Sequence, residues 1–412
     1  MTTIYQRIIS VLLVLLFGAQ LFYTGMQTKT QSVELQEEKP IRIWYTDPDI
    51  QSYMDAAAEE TASRYGVEVF AELVSEVDYI EKINKQSVAE EMTGPDVYVV
   101  SSALLEKATL AGLTAPVKDT EPEKTYSEKA VQAVTYDGTV VARPFYIETC
   151  FLIYNQQYVD PEEVPDTIDD ILMYAENFEA GEGTEQVENI FKWNVADVID
   201  NYMFLGAYTD LGGPSGDDKE LVKIDLEKAE ECMDYFQSLN SFFAIDADTV
   251  TSEAVIQEFI DGKTVFSLIN VPMLAELDRA VDASFYQVAE LPALTEELDT
   301  RGLSTTNSVV VNPYSSNRAA AEACARYLTQ GRAGQLYEEA GKLPACRDLP
   351  QEPGEAYQKV YEVYEQAAEV PKIMELSNIW LHLEVVLADI WRGADAGEEL
   401  AAFSELLAQQ LD

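Results

Sequence analysis

From residue 41 onward the chain alternates short β-rich runs with longer helical ones, and that rhythm admits few architectures. "IRIWY" (41–45) is β-branched and aromatic, "SYMDAAAEETASRY" (52–65) is alanine-rich and stops at Gly66, and "VEVFAELV" (67–74) alternates with period two. Asp78 followed by Glu81 has the spacing of a capping box opening "YIEKINKQSVAEEM" (79–92). "TGPD" (93–96) is a turn, "VYVV" (97–100) a buried strand, and "ALLEKATLAG" (103–112) a helix closed by Gly112. Strands separated by whole helices pair in parallel, because the crossover must travel back along the sheet. The pattern therefore predicts the α/β class, a sheet with helices on both faces.

At 412 residues the chain exceeds one ordinary core, so two or more domains are expected. Its 74 acidic residues against 27 basic ones give a net charge of -47. Such a surface repels nucleic acid and anionic lipid headgroups, and its plainest use is solubility. The single histidine, His382, argues against a histidine metal site or a histidine-dependent triad, and no cofactor or metal motif is present. Cys150, Cys232, Cys324 and Cys346 show no CxxC spacing and allow three pairings. Cys324 with Cys346 is one candidate pair; four reduced buried thiols are the alternative.

Residues 1–39 are a separate object. Arg7 precedes "IISVLLVLLFGAQLFYTGM" (8–26), close to the ~20 apolar residues that span a bilayer. A secretory signal or a retained anchor fits this run, and its length favours the anchor, with the body exported and "QTKTQSVELQEEKP" (27–40) as a tether.

Open parallel sheets bind ligands beyond the carboxyl ends of their strands. Here those ends bring Tyr45, the "TDPD" loop with Asp47, and the pair Ser101 and Ser102. Asp47 and Ser101 also suit plain helix N-caps, and both roles can coexist. Glu148 poses a sharper question. It lies within "VARPFYIETCFLIYN" (141–155), an otherwise apolar, aromatic or small run. A carboxylate there costs several kcal/mol unless it is paired or faces a wet cavity.

The series "IRIWYTDPD", "GPDVYVVSSALLEKATLAGLTAPV", "ARPFYIETCFLIYN", "FIDGKTVFSLINVPMLAELD", "YQVAELPAL", "SVVVNPYSSNRAAAEACARYL" and "YEEAGKLPACRDL" resembles, in order, the extracellular solute-binding proteins of family 1, the maltose-binding-like receptors of ABC sugar importers. The resemblance implies a periplasmic-binding-protein-like type II fold: two α/β lobes joined by crossover strands, with a small-molecule ligand, a sugar, between them. Lobe one would hold 41–148 plus 309–355, and lobe two 149–303 plus 360–412. Glu148 would sit at the first crossover and accept hydrogen bonds from ligand hydroxyls, the alternative being a bridge to Arg143. Tyr45, Asp47, Ser101 and Ser102 would line the cleft from lobe one. Trp193 and Tyr202 of "KWNVADVIDNY" would line it from lobe two. "NVPM" matches the family's Asn-Gly-Pro-aromatic turn, which places Asn270 and Met273 at the rim, although Val271 replaces the glycine and Met273 the aromatic. Trp380 of "LSNIWLHL" matches a position where the family stacks a sugar ring; core packing is its alternative. The implied protein is a monomeric extracytoplasmic receptor without catalysis, delivering solute to an ABC permease. A sensing or surface role on the same fold is the alternative.

Overall fold

A computed structural model describes residues 39–89, 92–118, 122–350 and 354–411. The expected membrane segment, 8–26, lies outside these. Among the described residues, no helix is long and apolar enough to cross a membrane.

The expected alternation opens the fold. Strand β1 (Ile41–Tyr45) pairs in parallel with β2 (Val69–Leu73) and β3 (Val97–Ser101). Helix α1 (Gln51–Tyr65) connects β1 to β2 and ends on Gly66, whose φ of 70° no β-carbon-bearing residue adopts cheaply. Helix α2 (Tyr79–Ser87) connects β2 to β3, but not through the capping box expected of Asp78 and Glu81. Asp78 is left-handed at φ 56° and its carboxylate caps nothing. Glu81 instead pairs with Lys107 at 2.7 Å, so an ion pair outcompetes the local cap. A capping box does form between Thr167 and Asp170.

One long strand organises the rest. β4 (Arg143–Asn155) runs 13 residues and changes partners midway. Its first half pairs with β8 (Leu303–Val311), placing Thr305 opposite Glu148 and Ser304 opposite Thr149. Its second half pairs with β6 (Thr264–Asn270), starting at Cys150 opposite Asn270, and with β7 (Tyr286–Ala289). β5 (Asn189–Lys192) joins β6 in parallel, and β8 also pairs with β3. The sheet order is thus β2-β1-β3-β8-β4-β6-β5, and the partner change at Thr149 and Cys150 divides it into two halves. Two short strands complete this junction: β9 (Leu343–Pro344) lies on β4, and β10 (Ala368–Glu369) lies on β8.

Each half carries its own core. Trp44, Tyr79, Ile80, Tyr98, Leu105 and Val310 pack together in the first. Phe191, Trp193, Phe204, Phe236, Leu268 and Trp391 pack in the second, under α3 (Leu226–Phe243), α9 (Ile379–Trp391) and α10 (Ala396–Leu411). A third cluster joins Ile147 and Phe151 of β4 to α4 (Ser252–Ile260), α5 (Val271–Ala280) and α8 (Glu355–Gln366). This two-lobed α/β architecture agrees with the expected fold class. All four cysteines are buried free thiols, so Cys324 and Cys346 do not pair.

Candidate functional site

The chain leaves β1 at Tyr45 and turns through Asp47, whose Oδ1 accepts the amide N–H of Asp49 at 2.9 Å. Asp47 is therefore an N-cap, and its other oxygen is free to point elsewhere. That Oδ2 accepts the phenol of Tyr146, from β4, at 2.9 Å. It also lies 3.1 Å from Nζ of Lys342. Lys342 sits between Gly341, which ends α7 (Leu336–Ala340), and β9. Because β9 is hydrogen-bonded to β4 at Ile147 and Tyr146, Lys342 arrives beside Glu148. Its Nζ is 3.3 Å from Glu148 Oε1 and 3.3 Å from Asp49 Oδ2.

Three carboxylates from two segments thus converge on one ammonium. Burial pushes the Lys342 pKa down, but Glu148, Asp47 and Asp49 together outweigh it, and the net shift is upward. The Tyr146 ring adds a face 5.6 Å from the same Nζ. The lysine side chain is only 5% exposed, whereas Glu148 is 35% exposed. The cation is nearly enclosed, and the acids beside it keep exposed surface. Glu148 does not bridge to Arg143, which instead faces Glu322 of α6 (Arg318–Arg326) at 3.5 Å. Lys342 is the group that reading the sequence missed. It lies 194 positions from Glu148 in a plain "AGKLPA" turn, and only the β9–β4 pairing brings the two together.

A second cluster lies where β10 meets β8. Ser102 is fully buried and donates to Glu369 Oε1 at 2.7 Å. Glu369 also accepts from Ser304 Oγ at 3.0 Å and from the Thr306 amide at 3.0 Å, with Lys129 at 3.8 Å. Ser102 therefore serves the crossover network and has no surface for a ligand. Ser101 remains half-buried beside it and caps the following turn through Ala103 N–H at 3.3 Å.

The aromatic residues are placed differently. Trp193 is fully buried, stacked on Phe191 at 4.7 Å, and its indole N–H is donated to Asn201 at 2.9 Å. Buried on both faces, it cannot stack on a guest. Tyr202 is buried too, its hydroxyl shared with Thr209 at 2.6 Å. Burial lifts its pKa to about 12. Trp380, at the start of α9, is half-buried and meets Tyr202 edge to face at 6.1 Å. Asn270 caps α5 by accepting from Met273 N–H at 3.2 Å, and the Met273 side chain is buried in the core beside Ile147. Tyr45 is buried at the end of β1, its hydroxyl pKa raised by burial and then by Asp55. Asp47 and Glu148 are thus brought onto one cation, Ser102 and Trp193 serve the interior, and Trp380 keeps part of its ring open. Among the described residues, no cluster of histidine, cysteine and acidic side chains could hold a metal ion.

A family described as bacterial extracellular solute-binding protein matches residues 54–359. The maltodextrin-binding protein of Bacillus subtilis is 22% identical over 372 residues, covering 84% of this chain and 86% of that one. A galactooligosaccharide-binding protein of the same organism is 22% identical over 335 residues, 77% of each. Among solved structures, an extracellular solute-binding protein of Staphylococcus aureus in complex with maltose superposes with a TM-score of 0.75 at 18% identity, covering 91% of this chain and 99% of that one. A cyclo/maltodextrin-binding protein complexed with maltotetraose gives 0.76 at 19% identity, covering 92% and 99%. These likenesses establish the fold.

Proposed function

Since the chain belongs to the bacterial extracellular solute-binding proteins, we propose that it captures a mono- or oligosaccharide between two lobes and delivers it to an ABC importer. The observation that carries this reading is the open carboxylate of Glu148 at the point where β4 changes partners. Ionised carboxylates are strong acceptors for paired hydroxyls, and Asp47 and Asp49 multiply the acceptors on one wall. Two of the relatives are named for maltodextrin and galactooligosaccharide, which supports the sugar class. Lobe one is taken as 41–148 plus 309–355, and lobe two as 149–303 plus 360–412. Trp380 offers the opposing apolar face, with Asn270 at the rim and Ser101 beside the loops of lobe one. Ligand contacts both lobes only when they close, so binding shifts the population towards the closed form. No step of this function needs catalysis. The working form is a monomer held at the membrane by residues 8–26.

The test is a titration of the full chain with maltotriose and with a galactooligosaccharide, read by calorimetry and by melting temperature. A hundredfold excess over Kd raises stability by ~2.7 kcal/mol. Glu148→Ala weakens the interaction at least tenfold with little change in the ligand-free melt. A Glu148→Ala chain that binds as tightly as the parent removes the cleft acid from the reading, and turnover of the bound sugar removes the receptor role.

A further inference from the structure

The cation of the crossover site has a role beyond holding its neighbours. We propose that Lys342 sets the charge class of the guest: it makes the acid-lined wall receptive to uncharged polyols and closed to cations. The inference rests on the cleft reading above.

The geometry carries it. The ammonium is 3.1 Å from Asp47, 3.3 Å from Asp49 and 3.3 Å from Glu148, nearly enclosed behind them. Asp47 and Asp49 reach it from the loop after β1, and Glu148 and Tyr146 from β4. On the preceding residue, Arg279 of α5 lies beside Gly341. Lys342 thus occupies the place between the three acids that a guest's ammonium would otherwise take. It is tethered by the main chain, so it competes at high effective concentration against any free cation. Because its charge is held upward by those same acids, it stays ionised at neutral pH. Carboxylate surface remains available beside it. Asp49 is 61% exposed, Glu148 35% and Asp47 22%, and hydroxyl donors can reach them without displacing the lysine. With Lys342 removed, three carboxylates would share one small volume with their repulsion uncompensated, and an amino-bearing guest would relieve it. Lys342 is in this sense a specificity-determining residue that acts through the acids.

The experiment compares maltotriose with the fully deacetylated glucosamine trimer, by calorimetry on the full chain, for the parent, Lys342→Arg and Lys342→Met. The parent prefers maltotriose and Lys342→Arg keeps that ranking. Lys342→Met gains at least tenfold for the cationic trimer relative to the parent, and loses at least tenfold for maltotriose. If the parent ignores maltotriose, the sugar reading fails by itself, and the gain of cation binding on Lys342→Met still decides this proposal. If Lys342→Met alone does not fold, as judged by circular dichroism, the pair Lys342→Met with Asp49→Asn removes one repelling charge and must show the same gain. A folded lysine-free chain that binds the cationic trimer no better than the parent overturns the assignment.

Discussion

Glu148 and Glu369 both sit on strands at the junction of the two sheet halves, and their surroundings are opposite. The Glu369 side chain is 1% exposed and is met by Ser102, Ser304 and the Thr306 amide, with Lys129 nearby. Glu148 is 35% exposed and meets one lysine, at 3.3 Å. A carboxylate whose lone pairs are filled from within the chain holds strands together. One with lone pairs left over can greet a guest. A third case, Asp278 of α5, accepts the phenols of Tyr286, Tyr337 and Tyr357 at 2.5–2.6 Å, so neutral hydroxyls alone can satisfy an acid in this fold. Saturation, not residue type or position in the sheet, distinguishes these acids.

Replacing Glu369 by alanine is the most damaging test of that contrast. It takes the counter-charge from Lys129, which lies on the Tyr364 ring, and removes the acceptor of the buried Ser102 hydroxyl and of the Thr306 amide. We expect a loss of about 3–5 kcal/mol in denaturant unfolding. A loss under about 1 kcal/mol would show that the filled lone pairs of Glu369 do not hold the strands together.

Two buried lysines sharpen the same contrast. Lys342 faces acids and is raised, whereas Lys372 donates to the carbonyls of Ser215 and Gln132, and burial lowers its pKa to about 8 despite Glu369 and Asp217. For Lys372 the folded value lies below the unfolded one, so the unfolded chain binds more protons between about pH 8 and the unfolded value of 10.5. Stability from this group therefore rises with pH across that window, by up to about 3 kcal/mol, and is flat below it. Urea unfolding at pH 7.5 and pH 10 will show the rise in the parent relative to Lys372→Met; parallel profiles for the two chains would refute it.

Glu148→Ala ranks next. Its pair is partly exposed, so its contribution to stability is within about 1 kcal/mol, and its effect belongs to ligand affinity. A melt that falls by more than this would place Glu148 with Glu369. The smallest effect is Ser101→Ala. Losing a cap on a short turn costs about 0.5–1 kcal/mol, read as a shift in the denaturant midpoint without a change in slope.

Much of the fold was legible in the chain. Gly66 and Gly112 stop helices where the sequence stops them, both at φ 70°, because a left-handed residue without a side chain is a local requirement. The strands of the first half follow their β-branched runs, and the acid at 148 announced itself by lying in an apolar strand. Asp78 misled, since its cap motif lost Glu81 to Lys107 across the surface. Trp193 misled for another reason. A resemblance can put an aromatic residue on a cleft-facing segment but does not say whether a neighbouring element covers it, and here Phe191, Phe204 and Trp391 do.

Local sequence, then, determined the class of fold, the helix stops and the position of the unusual acid, because backbone conformation and the cost of burying charge act within a few residues. The tertiary structure alone decided what that acid meets. Lys342 reaches Glu148 only because β9 adds to the strand that changes partners, and Ser102 is spent on Glu369 only because β10 adds to β8. Electrostatic partners act through a few ångströms of space, and a separation of 194 positions along the chain carries no trace of that distance.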